Sequence, residues 1–148
     1  MQKFQRVSYR ALNARQKELF NFQKIAATLA DYGFNCIKLA DDWKGADFLA
    51  YHVKGTRTLK VQLKARITIQ KKYRKKDIWM AFPYRGFWYL IEHDRLLAKV
   101  EKHTRWTRMK SWRVNGTVHA KYIRAALLDS LIENRIGPVY GPIVKETR

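Results

Sequence analysis

Apolar residues in the first third of the chain share one face of a helix. Behind Asn13 and Gln16, the positions that lie on this face are Phe22, Ile25, Ala26 and Leu29. Their spacing follows the helical period, and Asn followed three positions later by Gln can form a capping box. Gly33 is suited to ending a helix. We therefore predict a helix that begins after Asn13 and ends before Gly33.

The stretch that follows has the two-residue period of strands. The runs 34 to 39, 47 to 53 and 58 to 69 are apolar or β-branched, and turn residues separate them at 54 to 56 and at Asp41, Asp42, Lys44 and Gly45. In the third run, apolar side chains alternate with polar ones, Leu59, Val61 and Leu63 with Lys60, Gln62 and Lys64. This alternation puts the two sets on opposite faces. Three strands are predicted here.

The second half of the chain predicts a hairpin and two helices. Runs 78 to 82 and 87 to 91 are apolar, with Pro83 and Gly86 between them, as in a hairpin. Asp94 can cap a helix that carries Leu96, Leu97 and Val100, and a last helix is predicted over residues 120 to 135. The tail after Pro138 is expected to be loose or to dock on a partner subunit.

The order of these elements predicts an α/β (α+β) fold with a mixed central sheet flanked by helices. A length of 148 residues is typical of one domain. We predict a single domain over residues 1–148, with a core of about 14–91 and a helical, basic extension over 92–148.

Charge narrows the choice of partner. Lys and Arg number 31 against 12 acidic residues, which gives a formal net charge of +19. A folded domain with this balance repels itself unless a polyanion binds it, so nucleic acid is the favoured partner. A membrane surface is the alternative, but its ligands usually concentrate their cations in one stretch. Here the cations are spread along the chain, and double-stranded DNA is the expected partner.

The cysteine count and the hydropathy exclude several classes of protein. Cys36 is the only cysteine, so this chain forms no internal disulfide and no cysteine zinc site. The first residues lead into no apolar segment, and no apolar run approaches the roughly 20 residues that cross a bilayer. We expect a soluble, intracellular, cytoplasmic protein that has no membrane contact.

Four polar side chains are predicted to share one site. Gln62 and Lys64 project from the same strand face, and antiparallel pairing of the second and third strands brings Asp47 level with them. Glu18 lies on the apolar face of the first helix, where an unpaired carboxylate is costly to desolvate. A Mg²⁺ (or Mn²⁺) ion held by Glu18, Asp47 and the Gln62 carbonyl would satisfy all three. Lys64 would then act on water or on phosphate charge.

This arrangement resembles the PD-(D/E)xK (restriction-endonuclease-like) nuclease superfamily. The matching stretches are Glu18 in QKELF, Asp47 in GADFLA, and Gln62 with Lys64 in KVQLKAR, over about residues 14 to 91. Two positions depart from the pattern: Ala46 replaces Pro, and neutral Gln62 replaces an acid, which should weaken metal affinity. Gln also occurs at this place in small homing endonucleases associated with group I introns, which this chain resembles in length and basicity. The resemblance implies Glu18, Asp47, Gln62 and Lys64 as catalytic residues of a magnesium-dependent nuclease.

Two basic stretches supply candidate DNA contacts. Residues 60 to 76 hold eight Lys or Arg and no acid, and the side chains assigned to DNA binding are Arg66, Lys71, Lys72, Arg74, Lys75 and Lys76. The second stretch contains Lys102, Arg105, Arg108, Lys110 and Arg113, of which Arg105 and Arg108 are assigned to DNA binding. Trp106 and Trp112 lie among them and either stack bases or anchor the loop to the core.

The favoured function is site-specific hydrolysis of duplex DNA, of homing or restriction type. Because cutting two strands with one site per chain calls for two copies, a homodimer or homotetramer is expected. The alternative function is a non-catalytic nucleic-acid-binding protein on a degenerate nuclease fold. The alternative role for Asp47, Gln62 and Lys64 is a polar strand face that is merely solvated. His103, Asn115 and His119 are spaced too closely for an HNH nuclease. His52 and His93 are expected to be ordinary surface or strand histidines.

Overall fold

The computed structural model describes residues 3–139. Three α-helices and eight strands form within this range, and their bounds are as follows: α1 Ala14–Ala30, β1 Phe34–Trp43, β2 Ala46–His52, β3 Thr58–Leu63, β4 Ile67–Gln70, β5 Ile78–Tyr84, β6 Phe87–Glu92, α2 His93–His103, β7 Thr117–Ala120, α3 Ala125–Leu131 and β8 Arg135–Pro138.

Helix α1 begins and ends as its sequence predicts. Asn13 Oδ1 accepts from the backbone N–H of Gln16, and Gln16 Oε1 accepts from the backbone N–H of Asn13, each at 2.9 Å. This capping box satisfies N–H groups that have no partner within the helix. Gly33 follows with φ +82°, and a Cβ there would lie 2.7 Å from His52 Nε2. Glycine therefore permits both the turn and the close approach of β2.

The central sheet is mixed, as predicted, and its strand order is β1-β2-β3-β5-β6-β8. Strands β3 and β5 are parallel, and every other neighbouring pair is antiparallel. Helix α1 covers one face, where Ile25 and Leu29 pack with Phe48 and Val61. The other face packs against α2 and α3 through a cluster that includes Met80, Phe82, Leu96 and Leu127. The predicted α+β fold with helices on both sides of the sheet is confirmed.

The predicted third strand is too long. Strand β3 ends at Leu63, and the separate strand β4 pairs with β7 in a second, two-stranded sheet. Ile67, Thr68 and Ile69 are all buried, so β4 has apolar surroundings on both sides and no alternating pattern. The residues 41 and 42 predicted as a turn belong to β1, and the turn itself lies at Lys44 and Gly45, both of which have positive φ.

The predictions for the second half are partly wrong. The β5–β6 hairpin is confirmed, although Pro83 lies within β5. The last helix is shorter than predicted, because residues 117–120 form β7 and residues 135–138 form β8. Asp94 makes no helix cap and instead accepts from the backbone N–H of Lys75. His93, expected to be an ordinary surface or strand histidine, is 1% exposed at the start of α2.

The tail after Pro138 lies, from residue 140 onward, outside the described residues. Over the described part of the chain, no helix combines the length and the hydropathy that crossing a membrane requires.

Candidate active site

Strands β2 and β3 bring Asp47 and Gln62 into direct contact. The antiparallel register pairs Phe48 with Val61, which places Asp47 opposite Gln62 at the next position. Gln62 Nε2 donates to Asp47 Oδ2 at 2.8 Å, and the backbone N–H of Leu63 donates to the same oxygen at 2.9 Å. The carboxylate is therefore held in one orientation by a side chain and by the backbone of the neighbouring strand.

The environment of Asp47 disfavours its negative charge. Burial raises the pKa of Asp47, and the nearby Glu18 charge raises it further. The hydrogen bond from Leu63 and the positive charges of Lys64 and Lys38 oppose this shift. Removing an anion from water is costly unless a cation compensates for it. A cation at this position would therefore stabilise the ionised carboxylate.

The side-chain carbonyl of Gln62 accepts no hydrogen bond from the residues that the structure describes. Gln62 is 7% exposed, and among residues 3–139 no group donates to its buried Oε1. An unsatisfied buried acceptor costs about 1–3 kcal/mol. Both hydrogen bonds to Asp47 fall on Oδ2, so Oδ1 also receives none from the described residues. Two adjacent residues thus each have an oxygen free to bind a cation.

These two oxygens match the ligand chemistry of Mg²⁺ or Mn²⁺. Carboxylate and amide oxygens are hard ligands, and Mg²⁺ commonly binds few protein groups and retains several waters. Over the part of the chain described, no group of three or more His, Cys, Asp or Glu side chains is placed to hold a metal ion. Asp47 and Gln62 therefore offer one carboxylate and one amide, and Glu18 is close enough for its charge to raise the pKa of Asp47.

Glu18 is not buried, although its position on the apolar face of the predicted helix had indicated burial. Its side chain is 58% exposed and forms an ion pair with Lys38, with Nζ and Oε1 3.1 Å apart. Lys38 therefore provides the cation that Glu18 was expected to need from a metal. Glu18 raises the pKa of Asp47 through its charge, and its ion pair with Lys38 uses Oε1 alone. Its metal-ligand role stays a prediction.

Lys64 lies just after β3 and is near enough to Asp47 for each charge to shift the pKa of the other, although the two form no ion pair. Its backbone N–H donates to Ala81 O at 2.9 Å, which fixes the chain where it leaves the sheet. Burial lowers the pKa of Lys64, and the Lys72 charge lowers it further, whereas Asp47 and Asp42 raise it. A half-buried ammonium group next to a carboxylate can stabilise charge that develops on a phosphate.

Two residues beside the site were missed by the sequence analysis. Tyr73 is buried, and burial, followed by the charges of Asp47 and Asp42, raises the pKa of its phenol to about 12. Asp42 also acts on Lys64. Asp42 had been assigned to a turn, and Tyr73 lies in a run where the cations dominate the pattern. Continuing the predicted first strand past residue 39 to Trp43 would have placed Asp42 in β1. The pairing of β1 with β2 is irregular between Lys38 and Trp43.

The basic segment, residues 71 to 76, is anchored rather than loose. The backbone N–H of Gln70, just before it, donates to His93 Nε2 at 3.1 Å, and the backbone N–H of Lys75 donates to Asp94 Oδ2 at 2.9 Å. Lys60 Nζ donates to Lys76 O at 2.7 Å and so connects the segment to β3. The side chains that remain exposed are those of Lys72, Arg74, Lys75 and Lys76. They form a cationic surface beside Lys64.

The other predicted DNA contacts lie on two exposed surfaces. Arg66 is exposed between β3 and β4, and Lys71 is half-buried, with its Nζ donating to Arg113 O at 3.3 Å. Arg105 and Arg108 are exposed after α2. Trp112 is buried in the core, which confirms the anchoring role for that tryptophan.

Comparison with known proteins gives one structural similarity. A solved structure of a bacterial homing endonuclease, I-Ssp6803I, matches over 83% of this chain and 86% of the other, with 11% sequence identity and a TM-score of 0.47. No protein-family model and no curated protein matches the chain. The function is therefore argued from the geometry of the site.

Proposed function

We propose that this protein is a Mg²⁺- or Mn²⁺-dependent endonuclease of duplex DNA, in which Asp47, Gln62 and Glu18 hold the metal. The observation that carries this proposal is the pair of Asp47 and Gln62, with a buried carbonyl oxygen that lacks a donor beside a carboxylate whose charge burial disfavours. A divalent cation would satisfy both groups at once.

The residues around this pair have separate tasks. A bound metal ion would polarise a phosphoryl oxygen and lower the pKa of a coordinated water. Asp47 and Gln62 fix the position of the ligand oxygens through their mutual hydrogen bond. Lys64 carries a positive charge within electrostatic range of Asp47, and its proposed task is to stabilise the phosphate in the transition state or to orient the attacking water.

The cationic surface next to Lys64 would position the DNA backbone. Lys72, Arg74, Lys75 and Lys76 are exposed, and none of them belongs to an ion pair among residues 3–139. Their backbone is anchored to β3 and α2, so they need little ordering to contact phosphates. Cutting both strands requires two such sites, so we propose a homodimer or homotetramer with site-specific cleavage of homing or restriction type.

A non-catalytic nucleic-acid-binding protein is the second candidate. The small number of available carboxylates favours this candidate, because Gln62 is neutral and Glu18 is already paired with Lys38. Such a protein would use the same cationic surface and would cut no duplex. The two functions therefore differ in catalysis and not in binding.

Nicking of supercoiled plasmid across a Mg²⁺ series, together with filter binding, separates them. We expect the wild type to nick only with divalent metal. Asp47→Ala should abolish nicking and leave DNA binding intact, because it removes a metal ligand and no cation. Lys64→Ala should also abolish nicking, and added metal should not restore it. Lys54→Ala, at an exposed turn, is the control and should nick normally. A wild type that never nicks duplex DNA would establish the binding protein instead.

A further inference from the structure

An open basic cleft lies between the end of α2 and the start of α3 and shares no residue with the Asp47 site. Its volume is about 310 Å³, and the cations Lys102, Arg105, Arg108 and Arg124 line it. A smaller, more enclosed compartment of about 200 Å³ adjoins it at Arg105 and Arg124 and is bounded by Trp106 and Met109. A charged opening therefore leads to an apolar interior.

None of the four cations forms an ion pair within the described part of the chain. In the described range 3–139, the ion pairs are Lys38–Glu18, His93–Asp94 and Lys99–Glu133, and none includes a cation of the cleft. One carboxylate, Glu101, lies on the same wall. The C-terminus of α2 adds only about half a negative charge. Cations held this close repel one another, and guanidinium groups match the oxygens of a phosphate.

The walls of the apolar compartment are fixed by the fold. Trp106 packs against the core cluster, and its backbone N–H donates to Thr104 Oγ1 at 3.2 Å. Thr104 Oγ1 in turn donates to Val100 O at 2.7 Å, in the last turn of α2. Met109 is 47% exposed and flexible enough to adapt to a flat ring. An aromatic ring with a phosphate attached suits this combination of surfaces.

We propose that the cleft binds one nucleotide of a strand that has left the duplex stack, with its phosphate on Arg105, Arg108 and Arg124 and its base against Trp106 and Met109. A base inside a duplex is covered on both faces and paired at its edge, so only an unstacked base can enter an enclosed compartment. The proposal rests on nucleic acid as the partner of this protein and is independent of cleavage at Asp47.

Fluorescence anisotropy with two labelled single strands of equal phosphate number tests the proposal. One strand carries thymine bases and the other is abasic throughout. The wild type should bind the thymine strand about fivefold more tightly or better, because stacking on an aromatic side chain contributes that much affinity. Met109→Ser should lower the ratio of the two affinities, because Trp106 alone is then left against the base, while the affinity for the abasic strand stays unchanged.

Arg124→Ala tests the phosphate contact. It should weaken binding of both strands at least about threefold more than Arg95→Ala, which removes an exposed arginine of α2 outside the cleft and loses only long-range attraction. Both arginine side chains are exposed, and Arg124, although it is the N-cap residue of α3, makes no capping hydrogen bond through its side chain. Circular dichroism checks that each variant folds.

Equal affinity of the wild type for the two strands would overturn the base site. Equal effects of Arg124→Ala and Arg95→Ala would overturn the phosphate site. Failure here is distinguishable from failure of the nuclease proposal, because strand binding is measured without metal and without cleavage. If the protein nicks plasmid but binds the thymine and abasic strands equally, the nuclease proposal alone is supported. If it prefers the thymine strand but never nicks plasmid, the cleft proposal alone is supported.

Discussion

Replacing Gln62 with Glu should make the free energy of unfolding depend on divalent metal. In the wild type, Gln62 Nε2 donates to Asp47 Oδ2 at 2.8 Å, so the substitution removes this bond and sets two carboxylates against each other. A hydrogen bond to a charged group contributes about 1.5–3 kcal/mol. The backbone N–H of Leu63 still donates to Asp47, which limits the loss. We expect the free energy of unfolding to fall by about 2–3 kcal/mol in the absence of metal.

Divalent metal should reverse this loss, because an ion between two carboxylates changes their repulsion into ligation. At a free metal concentration of about 100 times the dissociation constant, binding to the folded state adds about 2.7 kcal/mol to its stability. In Mg²⁺, the variant should therefore regain the free energy of unfolding that the substitution removed. For a chain of this size, the shift corresponds to a midpoint change of about 5–10 °C.

Thermal unfolding followed by circular dichroism, in chelator and across a Mg²⁺ series, measures both effects. Gln23→Glu is the matched control, since it makes the same chemical change at an exposed position of α1. Its midpoint should not respond to metal. If Gln62→Glu is as stable as the wild type in chelator, the contact between Gln62 and Asp47 does not form. If Mg²⁺ fails to stabilise that variant, the pair is not a metal site.

Three further predictions concern charge, pH and the backbone. If the four exposed cations of residues 71 to 76 each contact a phosphate, log K for duplex DNA should fall with log salt at a slope of about −3.6. Lys72→Ala should reduce that slope by about 0.9, and a flat dependence in filter binding would contradict the proposed surface. Burial lowers the pKa of His93, with the Asp94 contact opposing and the Arg74 charge adding to the shift. The unfolded chain therefore binds the proton more readily, so stability is complete above the unfolded pKa near 6.5 and is lost as the pH falls below it. Urea unfolding between about pH 7 and pH 5 should show a decrease of up to about 1.4 kcal/mol per pH unit that His93→Gln lacks, and parallel curves would refute it. Gly33→Ala should lower the free energy of unfolding by about 1–3 kcal/mol, more than Gly55→Ala, which has positive φ but nothing within 4 Å of the added Cβ. Equal losses in thermal unfolding would show that His52 moves aside at no cost.

Local pattern alone predicted the elements whose signals are contained in a few neighbouring residues. The capping box of α1, the end of that helix near Gly33 and the β5–β6 hairpin all depend on contacts between residues close in the chain. The alternation in β3, together with the antiparallel pairing predicted from the turn at 54 to 56, put Asp47 level with the stretch that holds Gln62, and the two side chains are in contact. The net charge of +19 follows from composition and needs no structure.

Only the tertiary structure decided which polar side chains become buried and what each one meets. Glu18 lies on a helix whose apolar spacing predicted burial, yet α1 leaves it exposed beside Lys38. His93 was expected to be an ordinary surface or strand histidine, yet it is buried at the start of α2, where it accepts from the backbone N–H of Gln70. The break between β3 and β4 likewise depends on pairing with β7, about fifty residues later in the chain. Contacts of this kind join segments distant in sequence, and a periodic pattern contains no information about them. The sequence therefore determined the helix, the alternating strand and the charge, whereas the fold determined which carboxylate is partly buried and which buried carbonyl, among residues 3–139, lacks a donor.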